Sequence, residues 1–215
     1  MAGHRRSKNG VTSFAYVPAI PINGTTHCPL YRDAREKPAH DAEWSRRLAM
    51  IDRAYVQRMA RYNRWQNENL YGTADRLPDE ERRRERGAFF GSIHKTLNHL
   101  LWGDRSWMAR FADLPKPEVG IPGSVAVHEG WDELKGERAA FDQKIIDWSN
   151  GVADDWLAAD LTYFSGATGR EWTRPRWMLV THLFNHQTHH RGQVHCMLTQ
   201  AGGKPGDTDL FLLPD

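Results

Sequence analysis

The sequence predicts an all-α protein, a four-helix bundle with a small β-hairpin inserted before the last helix. In four long segments between residues 50 and 200, apolar residues recur at three- and four-residue steps, as on the inward face of a helix. Proline and glycine residues punctuate the connections between these segments. One shorter segment, 157–175, instead has the pattern of two strands joined by a turn.

Three of the predicted helices precede the hairpin. The first spans residues 50–76 and ends before Pro78, because proline cannot continue a helix. The second spans 88–112 and the third 130–149, with a loop rich in proline and glycine between them. The inward stripe of the second helix consists of large apolar residues: Phe90, Ile93, Leu97, Leu100, Leu101, Met108 and Phe111.

The hairpin and the last helix complete the predicted bundle. In segment 157–175, LTYF and REWTRP flank SGATG, which is typical of two strands around a tight turn. A single hairpin is marginally stable alone, so we expect it to lie against the helices. The fourth helix spans about 176–200 and ends at Gly202 and Gly203. The closing segment is expected to place three apolar side chains on the bundle: Leu210, Phe211 and Leu213.

The first 49 residues differ in composition from the rest of the chain. They carry eight of the 29 lysines and arginines but only four of the 27 acidic residues. They also contain several prolines and glycines and show no sustained helical period. We therefore divide the chain into a poorly ordered N-terminal extension, 1–49, and a helical bundle, 50–215. Met50 stands where the helical pattern begins, so a translation start at Met50 is an alternative.

Composition argues against several classes of protein. The net charge is +2, and residues 50–215 are nearly neutral, so no nucleic-acid partner is expected. The two cysteines, Cys28 and Cys196, are too few for a disulfide framework or a cysteine-based zinc site. No apolar run approaches the length of a membrane span, and no secretory signal follows the basic N-terminus. We therefore expect a cytoplasmic protein without a membrane partner.

The segment HLFNHQTHHRGQ at 182–193 holds the main candidate functional residues. His186 and His190 stand four residues apart, so they share one helix face and can reach one metal ion. They continue a stripe that is otherwise apolar: Leu179, Leu183, Val194 and Met197. Two inward imidazoles each need a polar partner, and a shared metal satisfies both. His182 and His189 lie on the adjacent stripe and are candidates either for hydrogen bonds to the ligands or for surface residues, and the surface interpretation is favoured.

Two imidazoles do not complete a metal site, because zinc takes three or four protein ligands. A third ligand must come from another helix, and the second predicted helix offers His94 and His99. Periodicity slightly favours His94, which continues the stripe of Phe90 and Leu97. His99 shares its face with small residues such as Gly103, which leave room for a site. The pattern does not choose between the two histidines.

Three blocks of the chain resemble a known family. YNRWQNENLY at 62–71, GAFFGSIHKTLNHLLWGDRSW at 87–107 and HLFNHQTHHRGQ at 182–193 are similar to the DinB/YfiT-like family of damage-inducible metalloenzymes. The resemblance covers about residues 50–215 and excludes the N-terminal extension. It implies a four-helix bundle that forms a homodimer and a connection to the stress response.

The resemblance also implies a metal site. The family binds a divalent metal ion such as zinc or nickel through three histidines, which correspond to His99, His186 and His190 in this chain. The resemblance therefore selects His99 over His94. Three protein ligands imply an open coordination position on the metal. Some relatives are thiol S-transferases or isomerases that use low-molecular-weight thiols, and others have been proposed as hydrolases.

The expected function is that of a metal-dependent thiol S-transferase, in which a small thiol attacks a small electrophile. Metal-dependent hydrolysis is the alternative, with Asp104 as a candidate base. Asp104 follows His99 by five residues, which places it about 140° round the helix in a poor position. A non-catalytic metal-binding stress-response protein is the third hypothesis.

Other polar and aromatic residues have weaker functional claims. Arg191 and Gln193 follow the last histidine and are candidates for orienting it, although a salt bridge or a dimer contact explains these residues equally well. Trp102 and Trp107 are candidates for the wall of a pocket, with core packing the favoured interpretation. Cys196 is not expected to act as a nucleophile, because it lies beyond the histidine stripe and a buried thiol is usually inert.

Overall fold

The computed structural model describes residues 50–214, and the predicted extension at 1–49 lies outside the described residues. The division of the chain at residue 50 therefore stays a prediction. Helices dominate the described part of the chain, and a two-stranded antiparallel hairpin precedes the last helix, which confirms the predicted fold class. Among residues 50–214, no helix combines the length and apolar character needed to cross a membrane.

Four long helices form the bundle, and short elements connect them. The long helices are α1 (Arg53–Asp75), α3 (Ile93–Phe111), α4 (Trp131–Gly151) and α6 (Arg176–Gln200). The short helices are α2 (Asp79–Arg83) and α5 (Asp154–Ala158), and 3-10 turns span Ile121–Ala126 and Leu210–Leu212. The hairpin consists of β1 (Asp160–Ser165) and β2 (Arg170–Pro175).

The start of α3 differs from the prediction for a local reason. Gly91 has a φ of 82°, a left-handed conformation that interrupts a right-handed helix. Ser92 then caps α3, because its hydroxyl accepts a hydrogen bond from the Lys95 amide at 3.2 Å. The helix therefore begins at Ile93 rather than at residue 88, and Phe90 lies before it.

The bundle core lies between the faces that periodicity predicted to point inward. Helices α1 and α3 each pack against both α4 and α6. Leu97 and Leu101 of α3 and Leu183 and Val194 of α6 are at most 1% exposed. Burial of these apolar surfaces is the main driving force that aligns α3 with α6. That alignment brings the polar residues of the two helices together.

A polar network inside the bundle connects all four long helices. Arg138 of α4 donates to Asp104 of α3 at 2.8 Å and to Asp142 of α4 at 2.8 Å. Asn67 of α1 donates to Asp142 at 2.9 Å, and Gln187 of α6 donates to Asp104. All five side chains are buried. A satisfied buried network of this kind favours one register of the helices, because a shift would leave charged groups unpaired.

The hairpin lies against the bundle as expected, whereas the closing segment does so only in part. Tyr163 of β1 pairs with Trp172 of β2, and its ring meets Trp107 of α3 with a centroid distance of 5.6 Å. In the closing segment, Leu213 is 9% exposed, but Phe211 is 84% exposed. The expectation that Leu210 and Phe211 both lie on the bundle was therefore wrong; Leu210 is 40% exposed.

Candidate metal centre

Three histidines converge between α3 and α6. His99 extends from α3, and His186 and His190 extend from successive turns of α6. One ring nitrogen from each histidine lies within 4.8 Å of the corresponding atoms of the other two. The group contains no cysteine, aspartate or glutamate, so its only donors are imidazole nitrogens.

The spacing of the nitrogens is suited to one bound metal ion. The Nε2 atoms of His99 and His186 are 3.2 Å apart. Two nitrogens that bind one tetrahedral zinc at roughly 2.0–2.1 Å would lie about 3.3 Å from each other. The group could therefore hold a divalent ion with little movement of either ring, and zinc and nickel both accept imidazole ligands.

A serine in the connection between α3 and α4 orients the first histidine. Nδ1 of His99 lies 2.8 Å from Oγ of Ser124, and this hydroxyl donates to the carbonyl of Ile121 at 2.6 Å. Since the hydroxyl proton is already used, Ser124 accepts the Nδ1–H of His99. This tautomer leaves the lone pair of Nε2 directed at the other histidines.

Gln193 orients the last histidine in the same way. Its Oε1 lies 2.8 Å from Nδ1 of His190, and an amide oxygen can only accept a hydrogen bond. His190 therefore carries its proton on Nδ1 and offers Nε2 as a ligand atom. The candidate role of Gln193 in orienting this histidine thus has a direct structural basis.

The middle histidine owes its position to a glycine. His186 packs over Gly103 of α3, where a Cβ atom would lie 2.9 Å from Cε1 of the imidazole. Nδ1 of His186 is buried and has no hydrogen-bond partner in the described part of the chain. Its Nε2 lies 3.2 Å from Nε2 of His99, so one metal ion could bind the lone pairs of both atoms, while Nδ1 of His186 would keep its proton.

Burial keeps the histidines neutral. It lowers the pKa of the His99 imidazole to about 4, and the pKa of His186 to about 3. Burial also lowers the pKa of His190, partly offset by the hydrogen bond to Gln193. At neutral pH the three rings therefore present lone pairs rather than charges, which is the form that binds a metal.

Two aromatic rings pack against His99. The ring of Phe90 lies 3.9 Å from the His99 ring, centroid to centroid, and Trp102 stacks on the same imidazole at 5.6 Å. The indole of Trp102 donates to the carbonyl of Val119 at 2.8 Å. Trp102 therefore lies beside the histidine group, whereas Trp107 stacks on Phe111 away from it.

The remaining histidines singled out by the sequence lie outside the group. His94 is buried near Asn98 of its own helix, and its ring is 6.5 Å from that of Trp131. The slight preference of periodicity for His94 is therefore not reproduced by the geometry. His182 packs on Trp107, and His189 is exposed beside His190.

Asp104 has no access to the histidine group. It is 0% exposed, and its oxygens accept from Arg138 and Gln187. Burial raises the pKa of Asp104, opposed by the guanidinium of Arg138. A carboxylate held in this way serves the packing of the bundle rather than proton transfer from a bound water.

The surroundings of Arg191 and Cys196 also differ from those that the sequence analysis predicted. Arg191 is buried and donates to Asn63 of α1 instead of contacting His190. Cys196 is exposed rather than buried, and it is not part of the histidine group. The contribution of Ser124 was not predicted, because a single serine in a loop gives no periodic signal.

The fold and the histidine group together define a helical-bundle protein with a candidate site for a divalent metal. The chain belongs to the DinB family, whose family model matches residues 50–215. It is similar to Protein DinB of Bacillus subtilis (strain 168), with 25% identity over 168 residues that cover 74% of this chain and 92% of that protein. The family resemblance inferred from three sequence blocks is confirmed.

Proposed function

We propose that this protein binds one divalent metal ion, zinc or nickel, through His99, His186 and His190, and transfers small thiols to electrophiles. The observation that supports the proposal is the convergence of three imidazoles without a carboxylate among them. A divalent ion held by neutral ligands keeps its full positive charge and lowers the pKa of a thiol or water at its open position.

The side chains around the histidines orient the imidazole rings and line the space beside them. Ser124 and Gln193 hold the Nδ1 protons of His99 and His190, so both Nε2 atoms stay available as ligands. Phe90 and Trp102 pack against the ring of His99 and contribute apolar surface beside it. Their apolar surfaces are also suited to contact an aromatic or alkyl electrophile.

In the proposed reaction, the sulfur of the thiol forms a bond to an electrophilic carbon of the second substrate. The bond from that carbon to its leaving group breaks, and the leaving group takes the bonding electron pair. The thiol proton passes to solvent. A free thiol has a pKa of about 8.5, so it ionises readily without a dedicated base.

Hydrolysis is less well supported by the surroundings of the site. A metalloenzyme that hydrolyses its substrate commonly needs a general base close to the attacking water. Asp104 is the carboxylate that the sequence proposed for this task, and it is fully buried against Arg138. The thiol reaction is therefore the better match to these residues.

Metal content of purified variants tests the ligand set. Elemental analysis of native protein should find about one zinc or nickel per chain, and His99→Ala or His190→Ala should lower it at least tenfold. His195→Ala removes a histidine outside the group and is the matched control. Retained metal in both ligand variants would contradict the site, and loss of folding together with metal would favour a structural role over catalysis.

Activity is tested with metal-loaded protein, a panel of low-molecular-weight thiols and the fluorogenic electrophile monobromobimane. Thiol conjugation above the uncatalysed rate, lost in His99→Ala, is the expected result. Absence of turnover across the panel would count against transferase activity. Hydrolysis of ester substrates without thiol conjugation would support the alternative.

The assembly and setting of the protein remain predictions from the sequence. We propose a homodimer, which light scattering of the purified protein tests directly by its molar mass. Cytoplasmic location is proposed from the composition, and a link to the stress response from the family resemblance. Cell fractionation and expression measurements test them.

A further inference from the structure

A cavity separate from the histidine group lies between α6, α1 and the segment before the C-terminal 3-10 turn. Its volume is about 350 Å³, within the range of cavities that hold small molecules. The wall includes Tyr62, Leu70, Thr188, Arg191, Gly192 and His195. None of the three clustered histidines lines it, so it is separate from the candidate metal centre.

The only arginine in this wall is buried and bonded to neutral groups. Arg191 is 5% exposed. Its Nη1 donates to both oxygens of Asn63, and its Nη2 lies 3.4 Å from Oγ1 of Thr188. Within residues 50–214, no aspartate or glutamate forms an ion pair with this guanidinium, in contrast to Arg138.

One edge of the Arg191 guanidinium is occupied and another is open. Asn63 takes both hydrogen bonds of Nη1, and the ring of Tyr62 lies 5.3 Å from the central carbon. Among the hydrogen bonds of residues 50–214, the edge formed by Nε and Nη2 has only the long contact to Thr188, and Nε takes part in none. Two parallel N–H groups on one edge are the arrangement that binds a carboxylate in bidentate fashion.

The positive charge of Arg191 also favours the binding of an anion in this cavity. A guanidinium is charged at neutral pH, and this one is buried. Its burial carries a desolvation cost, which the nearby carboxylates of Asp104 and Asp142 offset only in part because the guanidinium of Arg138 opposes them. An anion against the open edge would offset the remainder.

We propose that this cavity binds the carboxylate of a small organic molecule, held by Nε and Nη2 of Arg191. One planar guanidinium matches the charge of one carboxylate, whereas a phosphate dianion would leave a negative charge without a partner. Leu70 and the ring of Tyr62 offer apolar surface for the organic part of the ligand. The site does not depend on a metal in the histidine group.

The test follows the Arg191 Nε–H resonance in ¹⁵N spectra of the full chain during titration with sodium benzoate and, separately, sodium acetate. Sodium chloride and sodium phosphate at the same ionic strength are the comparison salts. A saturable shift of the resonance with the carboxylates, absent with chloride, is the expected result. No saturable shift, an equal shift with chloride, or binding of phosphate alone would overturn the proposal.

Two glycines provide matched variants that leave Arg191 in place. Gly192 lines the cavity and Gly136 lies on the exposed surface of α4, and a Cβ at either position meets no atom within 4 Å. Gly192→Leu should abolish the carboxylate response, while Gly136→Leu should preserve it. Arg191→Lys keeps the charge but loses the planar fork and the Nε–H probe, and it should weaken benzoate binding at least tenfold relative to the wild type when both are measured by calorimetry. An unchanged benzoate response in Gly192→Leu would overturn the assignment even if Arg191→Lys does not fold.

Discussion

His186 lies so close to Gly103 that a Cβ at position 103 would stand 2.9 Å from Cε1 of the imidazole. The absence of a side chain at Gly103 lets α6 place this ring directly against α3. His99 lies one turn before Gly103 on the same helix, so the close approach also sets the distance between His99 and His186. Gly103 thus determines the geometry of the candidate metal centre.

The substitution Gly103→Ala should weaken metal binding without unfolding the protein. Alanine stabilises a helix by about 1 kcal/mol relative to glycine, whereas its methyl group must displace His186. We expect the zinc affinity to fall at least tenfold while the metal-free protein stays folded. Competition with a chelator measures the affinity. Gly136→Ala in α4, where a Cβ meets no neighbour, should change stability alone; unchanged zinc affinity in Gly103→Ala would contradict this role.

Ser124→Ala should weaken metal binding through His99. The substitution removes the acceptor of the Nδ1–H of His99, and loss of such a partner typically costs 10–100-fold in metal affinity. Ser149→Ala is the matched control, because Ser149 is equally buried and donates to a carbonyl three residues earlier at 2.7 Å. Equal zinc affinities of the two variants would show that Ser124 does not orient His99.

Arg138→Met should destabilise the fold strongly. Removal of the guanidinium leaves Asp104 and Asp142 buried without their counter-ion, which typically costs about 3–5 kcal/mol. Arg84→Met removes an exposed ion pair with Glu80 and should cost less than about 1 kcal/mol. Urea denaturation gives both values, and similar losses in the two variants would argue against the network.

The metal-free protein should lose stability as the pH falls below about 6.5, the ordinary pKa of histidine. Burial lowers the pKa of His99 to about 4 and of His186 to about 3, so the unfolded chain binds more protons in this interval. The contribution to the free energy of unfolding is complete above about pH 6.5 and is lost progressively towards about pH 4 for His99 and about pH 3 for His186.

Urea denaturation at several pH values, with a chelator present, measures this dependence. His99→Gln removes one of the titrating groups and should show a shallower decline between about pH 6.5 and pH 5. Parallel curves for the wild type and the variant would contradict the lowered pKa of His99.

The bounds of a helix could be predicted where the spacing of apolar residues and the stop signals agree. The predicted range 176–200 matches α6, since Gly202 follows with a φ of 80° and the Gly203 amide bonds the carbonyl of Leu198. The predicted start of α3 at residue 88 was wrong, because Phe90 fits the apolar period although it lies before the helix. The capping by Ser92 is a local contact that periodicity does not register.

The choice of the third histidine could not be made from sequence patterns. His94 and His99 are both buried on α3, so the apolar stripe gave no reason to prefer His99. The family resemblance selected His99, and the structure brings it to 3.2 Å from His186. Which face of α3 meets α6 depends on all four helices packing together, and no pattern within one helix contains that information.

Residue order along the chain determined the helices, their inward faces, the hairpin and the pairing of His186 with His190, because these depend on local spacing. Only the tertiary structure decided that Ser124 and Gly103 position the rings and that Arg191 lines a separate cavity. It also brings His99, which the family resemblance had selected, to 3.2 Å from His186. These relationships join residues on different elements, and the packing of the core brings them together.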